Sequence, residues 1–343
     1  MKPTIKDVAR LSGVSMSTVS RVLNSPESVR EDKRIKVQKI IEELKYHPNA
    51  LARGLISKRT QSLGVLIPDI SNLYVSEIMK GMEDAAHNLG LNLILCNTDR
   101  NQEKMIRYLK VLKEKQVDGI IFTSEPITEA VFQIFDQLNI PIVLAATQSI
   151  EYNIPSVKID DEKAGYDAAC YLMDQGHVDI GMISGPTTDV IAGFPRYFGF
   201  KQALKDRLGR SQIDKFIEFG AYQFEDGYKG MERLYLKNPH LTSVFCASDE
   251  MALGAISYLH KIGKEVPNDI SILGFDNTKI AKMSIPQLTT VAQPMYEIGK
   301  FAVNKLECVI NSEGLDEVRT YVKHTIIERE SVKNNDSQIK EGM

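Results

Sequence analysis

The chain has 343 residues, of which 43% are hydrophobic and 25% charged, as in an ordinary globular protein. A domain usually takes about 100 to 200 residues, so this length predicts two or three domains. No apolar run approaches the roughly 18 residues of a membrane span, and the first residues lack the apolar core of a signal peptide. The sequence therefore predicts a cytoplasmic protein without a membrane partner.

Cysteine and histidine are too scattered to suggest a metal site. The 4 cysteines lie tens of residues apart, which matches neither a C-x-x-C spacing nor a disulfide scaffold. The 6 histidines form no H-x-x-x-H or H-E-x-x-H pair. We therefore expect no metal and no cofactor, and we expect the cysteines to be small core residues.

The formal net charge of -3 hides a difference between the two ends of the chain. Residues 1–60, here called the head, contain 13 Lys and Arg against 6 Asp and Glu; the body, from residue 61 onward, contains 29 against 39. Phosphates attract such a head and are repelled by such a body. This asymmetry favours a nucleic-acid-binding head, although a basic tail without a partner has the same composition.

Two short helices are expected at the start of the head. Thr4 and Asp7 form the Ser/Thr-x-x-acid pattern that caps a helix, here Ile5 to Ser12. Gly13 ends this helix, and Ser15 can cap a second helix of about residues 15–23. Two helices joined by a glycine-containing turn indicate a helix-turn-helix.

In a helix-turn-helix, the N-terminal residues of the second helix contact base edges in the major groove. Here that helix presents Met16, Ser17, Thr18 and Arg21. Arg21 can form two hydrogen bonds to guanine, Ser17 can donate or accept, and Met16 offers an apolar contact to a thymine methyl group. Core packing is the alternative role of Met16.

A third helix is expected at about residues 31–44. Its apolar face comprises Ile35, Val37, Ile40, Ile41 and Leu44. Its wet side carries Lys33, Lys36, Lys39 and Lys45, which either contact phosphates or form an ordinary solvated face.

From residue 62 onward, short apolar strands alternate with amphipathic helices, a pattern typical of parallel sheets covered by helices on both faces. The expected strands are residues 63–67, 91–96, 119–123, 142–146, 156–159, 180–184, 243–247, 270–275 and 289–293. The expected helices are residues 74–89, 102–115, 163–175, 198–206, 226–237, 250–262 and 295–310. Some 280 residues are too many for one sheet of this type, so we expect two α/β lobes.

Two such lobes bind ligands at the carboxyl ends of their strands, in the cleft between them. Polar residues directly after the strands are the candidates, in either of two roles: binding a polyhydroxylated ligand or capping the next helix. They include Asp69, Ser71, Asn72, Tyr74, Thr123, Gln148, Asp160, Asp161, Thr187, Ser248, Asp249, Asp276 and Asn277.

The chain contains no nucleophile elbow, P-loop or glycine-rich dinucleotide turn, so we do not expect an enzyme. A sugar-binding protein without DNA function would explain the body, but it leaves the basic head and the missing export signal unexplained.

Three runs of the head are similar to the LacI/GalR family of bacterial transcription regulators: residues 4–9 (TIKDVA), 13–24 (GVSMSTVSRVLN) and 46–55 (YHPNALARGL). The resemblance implies an all-α helix-turn-helix head on a two-lobe, periplasmic-binding-protein-like α/β body of doubly wound parallel sheets. It implies a homodimer that reads a palindromic operator. The DNA-binding residues it implies are Thr4, Ser15, Met16, Ser17, Thr18, Arg21, Asn24, Asn49, Ala52, Arg53 and Leu55.

In this family, residues after the third helix become a hinge helix on the operator, and a leucine wedges between base steps of the minor groove. By resemblance the hinge is residues 48–60, the wedge is Leu55, and Ala52 and Arg53 lie beside it. Packing of Leu55 on the body is the alternative. The full division is residues 1–47 for the helix-turn-helix, 48–60 for the hinge, 61–330 for the body and 331–343 for a frayed tail.

Residues 247–254 (ASDEMALG) and 274–278 (GFDNT) resemble family signatures of the second lobe. The resemblance gives effector contact to Ser248, Asp276 and Arg196, and an arginine suits a sugar hydroxyl, carboxylate or phosphate. Ser248 stands where several family members have asparagine. The complete predicted effector site is Asp69, Asn72, Tyr74, Asp160, Arg196, Ser248 and Asp276.

The catabolite-control branch of the family is the most similar, and it responds to the serine-phosphorylated phosphocarrier HPr. Its arginine and lysine for the phosphate fall here on Asn304 and Cys308, in the helix that follows residues 293–299 (QPMYEIG). Losing both charge partners argues against HPr control, although Lys300 and Lys305 can compensate in part. The candidate corepressor surface is Tyr296, Lys300, Asn304, Lys305 and Cys308.

The sequence thus predicts a transcription regulator of carbohydrate metabolism that acts as a repressor and has a sugar or sugar phosphate as effector. HPr control is the alternative. Met79, Met82 and Leu89 are candidates for the dimer surface, with core packing as their equal alternative.

Overall fold

A computed structural model of the chain describes residues 3–46 and 59–335. The chain divides into two compact units, with the boundary between Gln61 and Ser62. No helix within these two described ranges is both long and apolar enough to cross a membrane. Of the predicted hinge, residues 48–58 lie outside the described ranges, and with them Asn49, Ala52, Arg53 and Leu55.

The head forms the three helices that the sequence predicts: α1 (Ile5–Ser12), α2 (Met16–Asn24) and α3 (Glu31–Glu43), with a 3₁₀ turn at Pro26–Ser28. The predicted capping box is confirmed, because Thr4 Oγ1 accepts from the Asp7 amide and the Asp7 carboxylate accepts from the Thr4 amide. Gly13 ends α1 with a φ of 67°, in the left-handed region that favours glycine.

One core holds the three helices together, formed by Val8, Ala9, Val19, Val22, Val37 and Tyr46. Ile35 was expected to belong to the apolar face of α3, but its side chain is 57% exposed. Residues 37, 40, 41 and 44 follow the helical repeat along one side, whereas Ile35 lies about 200° around the axis from Val37. The four lysines expected on the wet side are all exposed.

The body contains two lobes, each built on a six-stranded sheet. The sheet of the first lobe is parallel throughout, in the order β11-β5-β4-β3-β1-β2. Its strands are β1 (Ser62–Ile67), β2 (Asn92–Asn97), β3 (Gly119–Thr123), β4 (Ile142–Ala145), β5 (Ser156–Lys158) and β11 (Arg319–Tyr321). Its helices are α4 (Leu73–Asn88), α5 (Gln102–Glu114), α6 (Glu129–Leu138) and α12 (Met295–Ile310).

The sheet of the second lobe has the order β12-β10-β9-β8-β6-β7, and only β12 is antiparallel to its neighbour. Its strands are β6 (Ile180–Ser184), β7 (Ile217–Phe219), β8 (Ser243–Cys246), β9 (Ser271–Asp276), β10 (Thr289–Ala292) and β12 (Thr325–Ile327). Its helices are α7 (Asp161–Asp174), α8 (Gly193–Leu208), α9 (Phe224–Lys237), α10 (Asp249–Lys261) and α11 (Lys279–Met283). The chain crosses between the lobes three times: from β5 to α7, from β10 to α12 and from β11 to β12.

Glycines allow pairs of helices to approach closely. A Cβ atom built on Gly299 of α12 would lie 2.0 Å from the carbonyl oxygen of Ile78 in α4, and one built on Gly81 of α4 would lie 1.9 Å from that of Tyr296. This contact fixes α12 on the first lobe, although α12 follows a strand of the second. Met82, a candidate for a dimer surface, is fully buried in the core, whereas Leu89 is 45% exposed.

The two-lobe α/β prediction is confirmed, and every predicted strand and helix of the body is present. The prediction omitted α6, α11, β7, β11 and β12, and it started α8 five residues late. It was also wrong about the start of the tail. Ser331 is fully buried, and its hydroxyl donates to the carbonyl of Ile272 and accepts from the amide of Thr289. These bonds to strand residues order the segment despite its polar composition.

Candidate functional site

The N-terminus of α2 brings five of the predicted DNA-binding residues together. Ser15 caps the helix, because its Oγ accepts from the amide of Thr18 at 3.2 Å. The same oxygen lies 2.8 Å from Oγ of Ser17 and 2.9 Å from Oγ1 of Thr18. Met16 is 47% exposed, which excludes core packing within the head as its role. Arg21 is exposed one turn further on, and its Nε lies 3.5 Å from the carbonyl oxygen of Ser17.

This first part of α2 therefore presents a methyl-bearing side chain, hydroxyl groups and a guanidinium on adjacent turns. Those are the groups that distinguish base edges in the major groove. Thr4 is elsewhere, at the start of α1, where its hydroxyl also donates to Asp7 at 2.7 Å. Asn24 is the last residue of α2.

In the body, the carboxyl ends of strands from both sheets line a cleft between the lobes. Counting its open mouth, the cleft encloses about 910 Å³. Predicted effector residues on its wall are Asp69, Asn72 and Tyr74 from the first lobe and Arg196, Ser248 and Asp276 from the second.

Asp160 is the one predicted effector residue that does not line the cleft. It is the exposed N-cap of α7, where its Oδ1 accepts from the amide of Lys163 at 2.9 Å. The next residue, Asp161, is 4% exposed and does line the cleft. A step of one residue turns the side chain by about 100° around the helix axis, so the cap faces out and its neighbour faces in.

Asp161 lies at the centre of a buried cluster with Lys158 and Arg196, here called the Asp161 cluster. Its Oδ1 accepts from Nε of Arg196 at 2.8 Å and lies 2.8 Å from Nη2 of the same side chain. Its Oδ2 lies 2.7 Å from Nζ of Lys158. Nη1 of Arg196 donates to the carbonyl oxygen of Ala247 at 2.8 Å, and the guanidinium lies 3.7 Å from the ring centre of Phe275.

A chain of hydrogen bonds joins the two lobes across the cleft. The hydroxyl of Tyr74, in the first lobe, donates to Oε1 of Gln293 at 3.2 Å, and Nε2 of Gln293 donates to Oδ1 of Asp276 at 2.7 Å. Asp276 has a φ of 109°, a strained value for a residue other than glycine. Burial raises the pKa of Asp276 well above its usual range, although Arg196 lowers it in part.

Ser248 and Asp249, which follow β8, form most of their hydrogen bonds with other residues of the second lobe. Oγ of Ser248 caps α10 by accepting from the amide of Met251 and donates to the carbonyl oxygen of Tyr222, each at 3.1 Å. Its only proton is therefore engaged. Asp249 accepts from Oγ1 of Thr290 and from the amide and hydroxyl of Thr278, so it ties the segments that follow β8 and β9 to β10. Burial raises the pKa of Asp249 in spite of these bonds.

The wall formed by the first lobe offers hydrogen-bonding groups of both kinds. Asp69 accepts from the amide and hydroxyl of Ser71, and these bonds lower the pKa of Asp69. Oδ1 of Asn72 caps α4 by accepting from the amides of residues 74 and 75. Oγ of Ser124 is buried in the cleft wall and has no hydrogen-bond partner among the described residues.

The sequence reasoning missed several residues of this site: Lys158, Arg100, Ser124, Asp189, Tyr222, Glu250 and Gln293. Ser124 and Gln293 directly follow β3 and β10, so the rule that found Asp69 could have found them, whereas Glu250 is the second residue of α10. Asp189 and Tyr222 lie in longer loops, where they meet through a 2.5 Å bond from the Tyr222 hydroxyl to the Asp189 carboxylate. No local pattern predicts that contact. Within residues 3–46 and 59–335 there is no group of three or more His, Cys, Asp or Glu that could hold a metal ion.

The candidate corepressor residues lie on one stripe of α12 and beside it, but their charges are engaged. Tyr296 donates its hydroxyl to Asp84 at 3.0 Å, and Lys300 lies 3.6 Å from Glu297. Lys305 donates to the carbonyl of Glu317, and burial lowers the pKa of Lys305. Asn304 is exposed, and Cys308 is half-buried.

Comparison with known proteins agrees with both parts of this architecture. Residues 4–49 match the bacterial regulatory proteins of the lacI family, and residues 60–330 match the periplasmic binding proteins and sugar binding domain of the LacI family. Catabolite control protein A of Priestia megaterium is 43% identical over 333 residues, which cover 97% of this chain and 100% of that protein.

Two solved structures extend the likeness to the fold. The Lac repressor dimer bound to operator and the anti-inducer ONPF has a TM-score of 0.85 at 25% identity, covering 97% of this chain and 100% of that one. The complex of the transcriptional regulator CelR with cellobiose has a TM-score of 0.74 at 28% identity, covering 96% and 99%. The chain is therefore a member of the LacI family of DNA-binding transcriptional regulators.

Proposed function

We propose that the chain binds a palindromic operator as a homodimer and that a sugar or sugar phosphate in the interlobe cleft controls this binding. The observation that carries the proposal is the union, in one chain, of a helix-turn-helix with an exposed reading surface and a cleft lined by carboxylates, amides and hydroxyls. A cleft of this composition suits a ligand that has several hydroxyl groups. The cellobiose complex of CelR supports a carbohydrate as the ligand.

On the DNA side, α2 enters the major groove with Met16, Ser17 and Arg21 at base edges. Ser15 and Thr18 lie at the helix N-terminus, where backbone amides favour a phosphate. A single head makes few base contacts, so two heads related by symmetry read the two halves of the operator. The Lac repressor dimer bound to operator supports this assembly.

On the effector side, the ligand contacts both lobes. Arg196 and Asp276 offer donors and acceptors from the second lobe, while Asp69, Asn72 and Ser124 do so from the first. Because Tyr74, Gln293 and Asp276 already join the lobes, a ligand that bonds to Asp276 changes the contact between the lobes as well. The relative movement of the lobes then orders or melts the hinge and so couples ligand to operator.

Control by serine-phosphorylated HPr is the alternative mechanism. The full-length likeness to catabolite control protein A favours it. The chemistry of α12 argues against it, because an asparagine and a cysteine replace two cations and the nearby lysines are engaged with Glu297 and Glu317. We therefore place the control signal in the cleft.

The test is fluorescence anisotropy with an operator selected by binding from a random duplex library. Binding is measured at two salt concentrations, alone and with serine-phosphorylated HPr or a panel of sugars and sugar phosphates. We expect salt-dependent binding that one small ligand changes. Tightening by phosphorylated HPr alone would establish the alternative, and binding without salt dependence would exclude DNA recognition of this kind.

A further inference from the structure

The Asp161 cluster gives the cleft an unusual electrostatic character. Two cations, Lys158 and Arg196, are buried at 4–5% exposure, and both direct their charge to the carboxylate of Asp161. Each oxygen of that carboxylate is taken by a different cation. A negatively charged ligand that approaches the cluster thus meets cations whose strongest bonding positions are already occupied.

The other charged residues of the cleft also disfavour a negatively charged ligand. The acidic residues on its wall are Asp69, Asp161, Asp189, Asp249, Glu250 and Asp276. The cations are Arg100, Lys158 and Arg196. Carboxylates therefore outnumber cations two to one among the described lining residues.

Protonation does not reverse this balance. Burial raises the pKa of Asp249, Glu250 and Asp276, so these three are the carboxylates most readily protonated. With all three protonated, Asp69, Asp161 and Asp189 still balance the three cations. The cleft is negative or neutral in either case, so a phosphate group would meet no net positive charge there. Of the three cations, Lys158 and Arg196 are buried against Asp161, whereas Arg100 is exposed.

We infer that Asp161 sets the charge specificity of the cleft, so that it accepts an uncharged polyhydroxylated ligand and excludes a phosphorylated one. This inference rests on the proposed function of the cleft as the effector site and narrows its ligand class. Nη1 of Arg196 bonds to Ala247 through one of its two protons, so the guanidinium keeps donors for a neutral hydroxyl oxygen. A hydroxyl needs no counter-charge, and Asp276 can accept a hydrogen bond from it.

Inorganic phosphate is the probe of the test, measured by isothermal titration against the full chain at constant ionic strength. The variants are Asp161→Asn, which frees both cations, and Asp160→Asn as the matched control. The control makes the same change of charge one residue away, outside the cleft, and asparagine caps a helix as well as aspartate does. Phosphate bound by the basic head contributes equally to both variants and cancels in the comparison.

We expect Asp161→Asn to bind phosphate at least tenfold more tightly than Asp160→Asn, which should match the original chain. Equal phosphate affinity of the two variants would overturn the inference. Since Asp161→Asn leaves two buried cations uncompensated, it can impair folding. A second pair of variants therefore carries Lys158→Gln as well. With it, Asp161→Asn leaves Arg196 without its carboxylate partner, whereas Asp160→Asn leaves Arg196 paired with Asp161. We expect the variant with Asp161→Asn to bind phosphate more tightly here too.

A second measurement separates this inference from the proposed function. Glucose and ribose are compared with glucose 6-phosphate and ribose 5-phosphate for their effect on operator binding by the original chain. A sugar phosphate that acts more strongly than its parent sugar leaves the proposed function standing and overturns the inference. If no sugar in a wider panel of either kind acts, the proposed function fails, while the phosphate titration of the variants still decides the role of Asp161.

Discussion

Nζ of Lys279, in the second lobe, lies 2.9 Å from Oε1 of Glu77, in the first lobe. Glu77 is one turn of α4 beyond Tyr74, whose hydroxyl bonds to Gln293. Lys279 is the first residue of α11 and follows the strained residues Asp276 and Asn277, with φ of 109° and 59°. The N-terminal half of α4 thus contacts the segment that begins at a candidate effector residue.

The first prediction concerns this ion pair between the lobes. Lys279→Met removes it, and because the lysine side chain is 69% exposed, the pair contributes less than about 1 kcal/mol. We expect the effector concentration at half-response to change by no more than about fivefold, with operator affinity unchanged in the absence of effector. The measurement is an effector titration by anisotropy, with Lys282→Met on the same helix as control. A complete loss of response would show that the pair controls the lobes far more strongly than its exposure suggests.

The sequence predicted the elements that local patterns encode. Capping residues such as Thr4 and Ser15 and the buried strands of the sheets were found close to their observed ends. The three-residue strands β11 and β12 were missed because their pairing with β5 and β10 involves residues distant in the chain. Helix α6 was missed although Val131, Phe135 and Leu138 follow a helical repeat, so the signal was present there.

The candidate site was predicted in part for the same reason. Residues directly after strands could be found, because the carboxyl ends of parallel strands meet at one edge. Which of two adjacent aspartates enters the cleft depends on where α7 begins: the sequence made both Asp160 and Asp161 candidates, but the predicted effector site kept only Asp160, and it is Asp161 that lines the cleft. The ion pair between Arg196 and Asp161 could not be predicted either, because the two residues lie 35 positions apart in the chain.

The second prediction concerns base recognition by Arg21. Its guanidinium is exposed on α2, and its hydrogen bond to the carbonyl oxygen of Ser17 is 3.5 Å long, so the side chain can turn toward a base. Arg21→Ala should weaken operator binding by about 1–3 kcal/mol and relax specificity at one position in each half-site. Competition with operators that carry single substitutions measures both effects. Arg10→Ala, on α1, is the control; a uniform loss over all operators in the Arg21 variant would indicate a phosphate contact instead.

The third prediction concerns the pH dependence of stability. His177 is fully buried between Oγ1 of Thr242 at 3.0 Å and the carbonyl oxygen of Lys333 at 3.2 Å. Burial lowers the pKa of His177 to about 4 from 6.5. The unfolded chain therefore binds the proton more readily, and stability falls as the pH drops from about 6.5 towards 4, by about 3 kcal/mol in all. Urea unfolding at pH 7 and pH 4.5 should show a smaller loss for His177→Gln than for the exposed control His87→Gln; equal losses would refute the assignment.

The fourth prediction concerns the contact between α4 and α12. In Gly299→Ala the new methyl group would lie 2.0 Å from a backbone carbonyl of α4, and backbone does not yield as a flexible side chain does. Overpacking of this kind should destabilise the body by about 1–3 kcal/mol or more. Thermal unfolding should show a lower midpoint than that of Gly314→Ala, which adds a methyl group with no atom within 4 Å. Equal midpoints would mean that the helices separate at little cost.

The last prediction concerns Arg196, whose guanidinium joins Asp161, Ala247 and the ring of Phe275. Arg196→Ala would leave Asp161 with one cation and open a cavity, so unfolding would obscure its effect on the ligand. Arg196→Lys keeps the positive charge but loses the planar fork that bonds to two acceptors at once. We expect the effector concentration at half-response to rise at least tenfold, while operator affinity without effector stays within twofold.

Arg207→Lys is the matched control, because Arg207 lies on the same helix and pairs with Asp174 at the surface. A normal effector response in Arg196→Lys would remove the guanidinium from the site and leave Arg196 as a residue that only holds the second lobe together.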